Sequence, residues 1–469
     1  MRHICQQPAP TLLLHFDAGD LLQKRHLPAF QRIFFGVHAE PLTQETGFAN
    51  PPTHPKLPRI GPFLRLTILF SDQVLQKLTW APTPLPPGNP LFPVCLPGYS
   101  PPPLWVWFQG RKRTMKVLVS GSSGLIGSEA VSHYDASGAE VFGIDNNLRA
   151  EFFGPQGDTR WNLERLKATT RRFRPAAIDL RDKEAVFELF RTEGPFDRVI
   201  HCAAQPSHDK AREIPLLDFE VNANGTLHML EATRLYSPEA VFIQMSTNKV
   251  YGDAPNEVPL IELDTRWDYL RSQNWWGINE QCRIDQSLHS LFGASKTAGD
   301  ILAQEYGRSY GLKTGIFRGG CLTGPGHSGV ELHGFLSYIV HAAVHGKPYR
   351  IFGYQGKQVR DQIHSSDVIA AFEAFASQPR PGEVYNLGGG RRNSASILEV
   401  IDLLARLSGH RLRHSYVPEN RLGDHICYIS DLRKLQAHYP QWQITRDLPS
   451  ILEEMVAAER SRAGIRRAA

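Results

Sequence analysis

The stretch KVLVSGSSGLIG, residues 116–127, decides how this chain is read. Lys116–Ser120 is a short β-branched run with strand character, and Leu125–Ala136 follows with helical spacing. Between them lies a glycine turn containing Gly121, Ser123, Gly124, Leu125, Ile126 and Gly127. Glycines allow the tight turn and let backbone N–H groups approach a diphosphate at the positive end of the helix. A lone GxxGxxG is common; a strand before it and a helix after it give it meaning.

Outward from that turn, strand and helix alternate. Glu140–Ile144, Ala176–Asp179, Arg198–His201, Val241–Met245 and Thr314–Phe317 read as strands. Lys183–Arg191, Gly225–Arg234 and Gly293–Tyr310 read as the helices between them. Leu398–Leu407 and Leu448–Ala457 are later helices in a less regular segment. This order implies right-handed crossovers and a parallel sheet covered on both faces. The expected fold class is α/β: a Rossmann-type doubly wound sheet with a smaller α/β C-terminal substrate-binding region. Residues 115–317 form the expected cofactor domain, with insertions at 149–175 and 253–290. Residues 318–469 form mainly the substrate region, interleaved with the sheet.

Charge and proline are unevenly placed along the 469 residues. The formal charge is +5, yet residues 1–114 carry 11 Lys and Arg against 5 Asp and Glu, and 19 of the 34 prolines. The remainder is near neutral, with 41 basic and 42 acidic groups. Residues 1–114 are therefore expected to be a disordered or PxxP-type extension, or sequence outside the working enzyme, which Met115 would begin. At 41% hydrophobic and 21% charged, the composition is that of a globular protein. No apolar run approaches the ~18–20 residues that cross a bilayer. The first residues do not show the basic, long apolar and small-residue regions expected of a secretory signal. Six scattered cysteines without a CxxC pair read as reduced thiols of a cytoplasmic protein with no metal site.

Asp145 ends the second strand, 18 residues past Gly127. A carboxylate there accepts the ribose hydroxyls of adenosine and repels a 2′-phosphate, which argues for NAD over NADP. Arg149 nearby argues the other way, since it can receive a phosphate. Asn146 and Asn147 follow Asp145. Asp179, Leu180, Ala203, Ala204 and Gln205 fall at strand ends where the adenine and diphosphate would pass.

These residues resemble the extended short-chain dehydrogenase/reductase family that modifies nucleotide sugars, and within it the CDP-paratose/CDP-tyvelose 2-epimerases. The likeness runs from Met115 to Ala457. It rests on DFEVNANGTLHMLEA (218–232), STNKVYGD (246–253), HSLFGASK (289–296), GKQVRD (356–361), EVYNLGGG (383–390) and RLGDHICYISD (421–431). The resemblance implies bound NAD, transient oxidation of a sugar carbon, a nucleotide-diphosphate sugar substrate and a homodimer. It also implies that Thr247 bonds the reacting sugar oxygen and that Lys296 holds the nicotinamide ribose. Asn222 would support the site backbone or a water. Arg318 would lie along the sugar nucleotide. Arg360 and Arg421, the latter three residues before Asp424, would hold the diphosphate with two guanidinium forks. Surface salt bridges with Asp361 and Asp424 are the alternative.

The family's tyrosine base falls on Phe292, which cannot accept a proton. Lys249 is the preferred substitute, because Ser246-Thr247-Asn248-Lys249 resembles the STDK segment of tyrosine-lacking nucleotide-sugar dehydratases. Lys249 could equally orient substrate. His208, His289 and Glu331 are further candidates. Three readings stay open: an epimerase, a dehydratase lacking the usual tyrosine base, or a catalytically silent protein that binds NAD and sugar nucleotide. The basic and aromatic insertion Arg149–Pro175 is read as an adenine-flanking cap or dimer element rather than a nucleic-acid platform, given Glu151, Asp158 and Glu164. Trp267–Trp276 is read as a substrate lid. Neither nucleic acid nor a membrane is an expected partner.

Overall fold

The computed structural model describes residues 113–464 except Leu332, His410 and Leu422, all within one compact unit, Ser100–Ala469. The Pro-rich segment through residue 112, with Cys5 and Cys95, lies outside the described residues.

Seven parallel strands form the central sheet: β1 (Lys116–Ser120), β2 (Glu140–Ile144), β3 (Phe173–Ala176), β4 (Arg198–His201), β5 (Val241–Thr247), β6 (Lys313–Gly319) and β7 (Glu383–Leu387). Their order is β7-β6-β5-β4-β1-β2-β3, with the chain reversing direction across the sheet at β1. In such a sheet, ligands bind at the carboxyl ends of the strands where the order reverses. Side chains of successive strand residues point to opposite faces, and both faces are buried here. Val117 and Val119 join one apolar cluster with Phe317 and Phe372, while Leu118 joins another with Phe142, Phe242 and Leu230.

Most expected elements stand where the periodicity places them, but the third strand does not. It runs Phe173–Ala176 rather than Ala176–Asp179, with Val141 opposite Phe173 and Ile144 opposite Ala176. Pro175 is tolerated because β3 is an edge strand, where a missing donor costs no ladder bond. Asp179 and Leu180 are thereby freed to reach over the sheet end.

The main helices are α1 (Leu125–Ala136), α2 (Gly225–Tyr236) and α3 (Leu291–Tyr310). Ser290 caps α3 by accepting the Gly293 N–H at 3.1 Å. After β6, a smaller sheet forms around the strand Val359–His364, which pairs with Cys321–Thr323, Ser394–Ser396 and Cys427–Tyr428. The helices Phe335–Val344, Ile397–Ser408 and Leu448–Arg462 share a third apolar cluster. Among the described residues no helix is long and apolar enough to cross a membrane.

Candidate active site

A cavity of about 450 Å³ runs from the glycine turn to the arginines of the smaller sheet. At one end, Gly121 has φ +66°, and a Cβ there would meet the Ala203 backbone at 2.9 Å. A Cβ on Gly127 would lie 2.0 Å from the Gly121 carbonyl oxygen, so only glycine lets α1 start so close to the turn. Asp145 accepts the backbone N–H groups of Ser123 at 2.9 Å and Asn147 at 2.8 Å. Burial raises its pKa above the usual carboxylate value, and those two hydrogen bonds oppose the shift. The Ser122 hydroxyl is buried without a hydrogen-bond partner among the described residues. A glycine cradle that admits no Cβ, opening on the Asp145 carboxylate in the same cavity, suits a dinucleotide.

Gly121, Gly124, Leu125, Ile126, Gly127, Asp145, Asn146, Asp179, Leu180, Ala203 and Ala204 all line the cavity. Gln205 and Asn222 do not. They bond each other instead: Asn222 accepts the Gln205 N–H at 2.9 Å and donates to the Gln205 carbonyl at 3.0 Å. That pair ties the β4 loop to Ser295 of α3. Asn147 also stands aside, accepting from Thr159 and donating to Asp158 to pin the insertion. Ser123 acts through its backbone, with its carbonyl accepting from Asn162 at 2.9 Å.

Arg149 does not turn toward Asp145. It donates to the Ser328 carbonyl at 2.7 Å and stacks on Phe153 at 4.9 Å. Trp161 donates to the Ser328 hydroxyl at 2.9 Å. Arg149 and Trp161 of the insertion thus hold the loop carrying Ser328, while Arg149 and Thr159 also line the cavity.

At the middle of the cavity stand Thr247, Lys249, Phe292 and Lys296. Lys296 donates to the Met245 carbonyl at 3.0 Å, and burial lowers its pKa to about 8. Lys249 donates to the Gly423 carbonyl at 2.9 Å, and burial, with Arg360 acting in the same direction, lowers its pKa to about 8. Burial alone would raise the Asp424 pKa, but Arg360 and Lys249 more than offset it and hold the carboxyl well below its usual range. His208 also lines the cavity beside Phe292, whereas His289 is spent on the carbonyls of Val250 and Ser287. Glu331 pairs with Arg350.

At the far end, Arg360 and Arg421 both line the cavity. Arg360 pairs with Asp424, as the salt-bridge alternative expected, but Asp361 takes no part. Asp361 is fully buried and accepts the N–H groups of Gly390 and Ser430. Arg421 lies over Phe352 at 4.4 Å and donates to the Glu331 carbonyl at 2.9 Å.

Two expectations are corrected. Arg318 does not line the cavity: it is buried between Asp300, at 2.8 Å, and the Tyr251 hydroxyl, at 3.1 Å. Strand alternation puts it on the same face as Ile316, toward α3. No residue of Trp267–Trp276 lines the cavity either. Arg391 holds that stretch at the surface, pairing with Asp268 and stacking on Trp275 at 4.2 Å. Conversely, Tyr349 and Phe352 line the cavity without any motif to mark them, and Gln358 lines it from within GKQVRD without having been singled out. Away from it, Glu459 accepts from His341 at 2.7 Å and His345 at 3.0 Å, with Arg462 at 2.7 Å.

Residues 117–388 match the model of the NAD dependent epimerase/dehydratase family. The chain belongs to that family. NAD is therefore the cofactor, and the cradle around Gly121 fits it. The enzyme is 32% identical to a CDP-paratose 2-epimerase of Salmonella typhi over 68% of its own length and 92% of that protein's. It is 30% identical to a probable dTDP-glucose 4,6-dehydratase of Sinorhizobium fredii, covering 69% of this chain and 84% of the relative. Among solved structures, a Thermus thermophilus UDP-glucose 4-epimerase complexed with NAD superposes with a TM-score of 0.57 at 28% identity, covering 74% of this chain and 99% of that one.

Proposed function

We propose that this enzyme is a nucleotide-sugar epimerase resembling CDP-paratose 2-epimerase. One observation carries the reading: a single cavity joins the glycine cradle to Arg360 and Arg421, with Thr247, Lys249 and Lys296 between the two ends. NAD+, when bound, accepts a hydride from a sugar carbon and returns it, so that it is not consumed. Arg360 and Arg421 anchor the diphosphate, which leaves the sugar free to turn and present its other face. Thr247 orients the hydroxyl that becomes a carbonyl. Lys249, brought to a pKa of about 8, receives the hydroxyl proton at Nζ and gives it back.

The dehydratase reading is favoured by Phe292 and by the dehydratase relative. Dehydration also needs an acid to protonate the departing hydroxyl, and the residue between Thr247 and Lys249 is Asn248, whose amide cannot do so. Incubation with a panel of nucleotide sugars in deuterated water, followed by NMR, separates the readings. Epimerisation is expected. Loss of water with deuterium uptake selects the dehydratase, and no change selects a silent binder. Homodimer formation is proposed from Leu216, Leu291 and Ile301, exposed apolar side chains on neighbouring helices; a single-chain mass in light scattering would refute it.

A further inference from the structure

We propose that His208 takes the place of the missing phenol as a hydrogen-bond donor to the reacting sugar oxygen. This rests on the nucleotide-sugar reading above. Phe292 is buried at the position of the family's base, and its ring meets the His208 ring edge to face, with centroids 5.1 Å apart. Both rings line the cavity together with Thr247 and Lys249.

His208 acts here in the tautomer that carries its hydrogen on Nε2. Ser290 uses its oxygen to cap α3, accepting the Gly293 N–H at 3.1 Å. In that tautomer the Ser290 hydroxyl hydrogen goes to His208 Nδ1, 2.5 Å away. With Nδ1 accepting, the imidazole carries its hydrogen on Nε2, and Nε2 has no hydrogen-bond partner among the described residues. Burial, reinforced by Lys249, Arg360 and Arg421 and opposed by Asp424, pushes the pKa down to about 3, so the ring is neutral across the working range. A neutral N–H donor in a desolvated cavity stabilises charge as it develops on an oxygen.

In the oxidation step the sugar C–H would be lost as the hydride that NAD+, held by the Gly121 cradle, would accept. The O–H proton passes to Lys249 Nζ, and the C–O single bond becomes a carbonyl. The Nε2–H bond to that oxygen strengthens as negative charge gathers there. The return step reverses each transfer, leaving the cofactor and Lys249 as they began.

Three variants and one spectrum test this. His208→Leu is expected to lower kcat about 10²–10³-fold, the cost of losing one such donor, with NAD affinity and melting temperature held. His208→Gln, whose amide N–H reaches the same place, stays within about tenfold of the parent. Phe292→Tyr in the His208→Leu background restores turnover by returning a hydroxyl to the site. A His208→Leu enzyme with parental kcat, a Gln variant as poor as Leu, or no rescue by Phe292→Tyr overturns the proposal. Turnover by the unmodified enzyme tests the nucleotide-sugar reading separately. Nitrogen-15 NMR of labelled histidine in the NAD-bound protein reads the tautomer without any substrate: a proton on Nε2 is expected, and one on Nδ1 refutes the proposal.

Discussion

Lys249 Nζ stands 3.9 Å from Asp424 Oδ1, which couples the proposed proton acceptor to the proposed diphosphate clasp. The same carboxylate pairs with Arg360. Two segments distant in sequence, STNK and RLGD, therefore share one charge network, and a change at either is felt at both.

The rate should consequently depend on pH through Lys249. A lysine whose pKa is lowered by burial is neutral only above that value, so kcat/KM is expected to rise as pH increases through about 8. Lys249→Met should reduce turnover at least about 10³-fold while NAD still binds, and its residual rate should lack that rise. A parental rate in this variant would exclude the lysine.

Arg421 makes no carboxylate pair in the described contacts and lies over Phe352, so its charge is available to substrate. Replacing it by Ala should raise KM for the nucleotide sugar by roughly 10–100-fold, the worth of about 1.5–3 kcal/mol for a charged hydrogen bond. Because the loss falls on binding, kcat should hold. Calorimetric titration with the free nucleoside diphosphate checks it.

Arg318→Met is expected to act on stability alone. It leaves the buried Asp300 carboxylate without its guanidinium, a change that costs about 3–5 kcal/mol in comparable pairs. Chemical denaturation should show the loss. A large rise in substrate KM without loss of stability would return Arg318 to the substrate site.

Gly127→Ala places a Cβ 2.0 Å from the Gly121 carbonyl oxygen, so the turn must open. NAD affinity, followed by fluorescence quenching, should fall more than about tenfold. Unchanged affinity would show that the turn does not hold the cofactor.

Some of the site was legible because its residues belong to local patterns. The glycine turn needs only its neighbours in sequence, and Asp145 needs only the end of the adjacent strand. Phe292 stood out through the resemblance, which implies a tyrosine four positions before Lys296 on the same helix. Arg318 was misplaced because sequence does not say which face of β6 it occupies, and the packing of α3 against that face decides it. The third strand slipped by three residues because an edge strand carries little burial signal: its ends are half-buried and its middle exposed.

The sequence by itself determined the alternating fold and the cofactor turn, since each depends on residue identity at short range, while the resemblance implied that Phe292 stands where a tyrosine base is usual. Only the tertiary structure decided which polar groups share the cavity. His208 meets Phe292, Lys249 meets Asp424, and Asn222 withdraws into a bond with Gln205. Such meetings depend on where distant loops cross the end of the sheet. Burial then sets the charge of each group, lowering Lys249 to about 8 and keeping His208 neutral, and burial is a property of the whole packed chain.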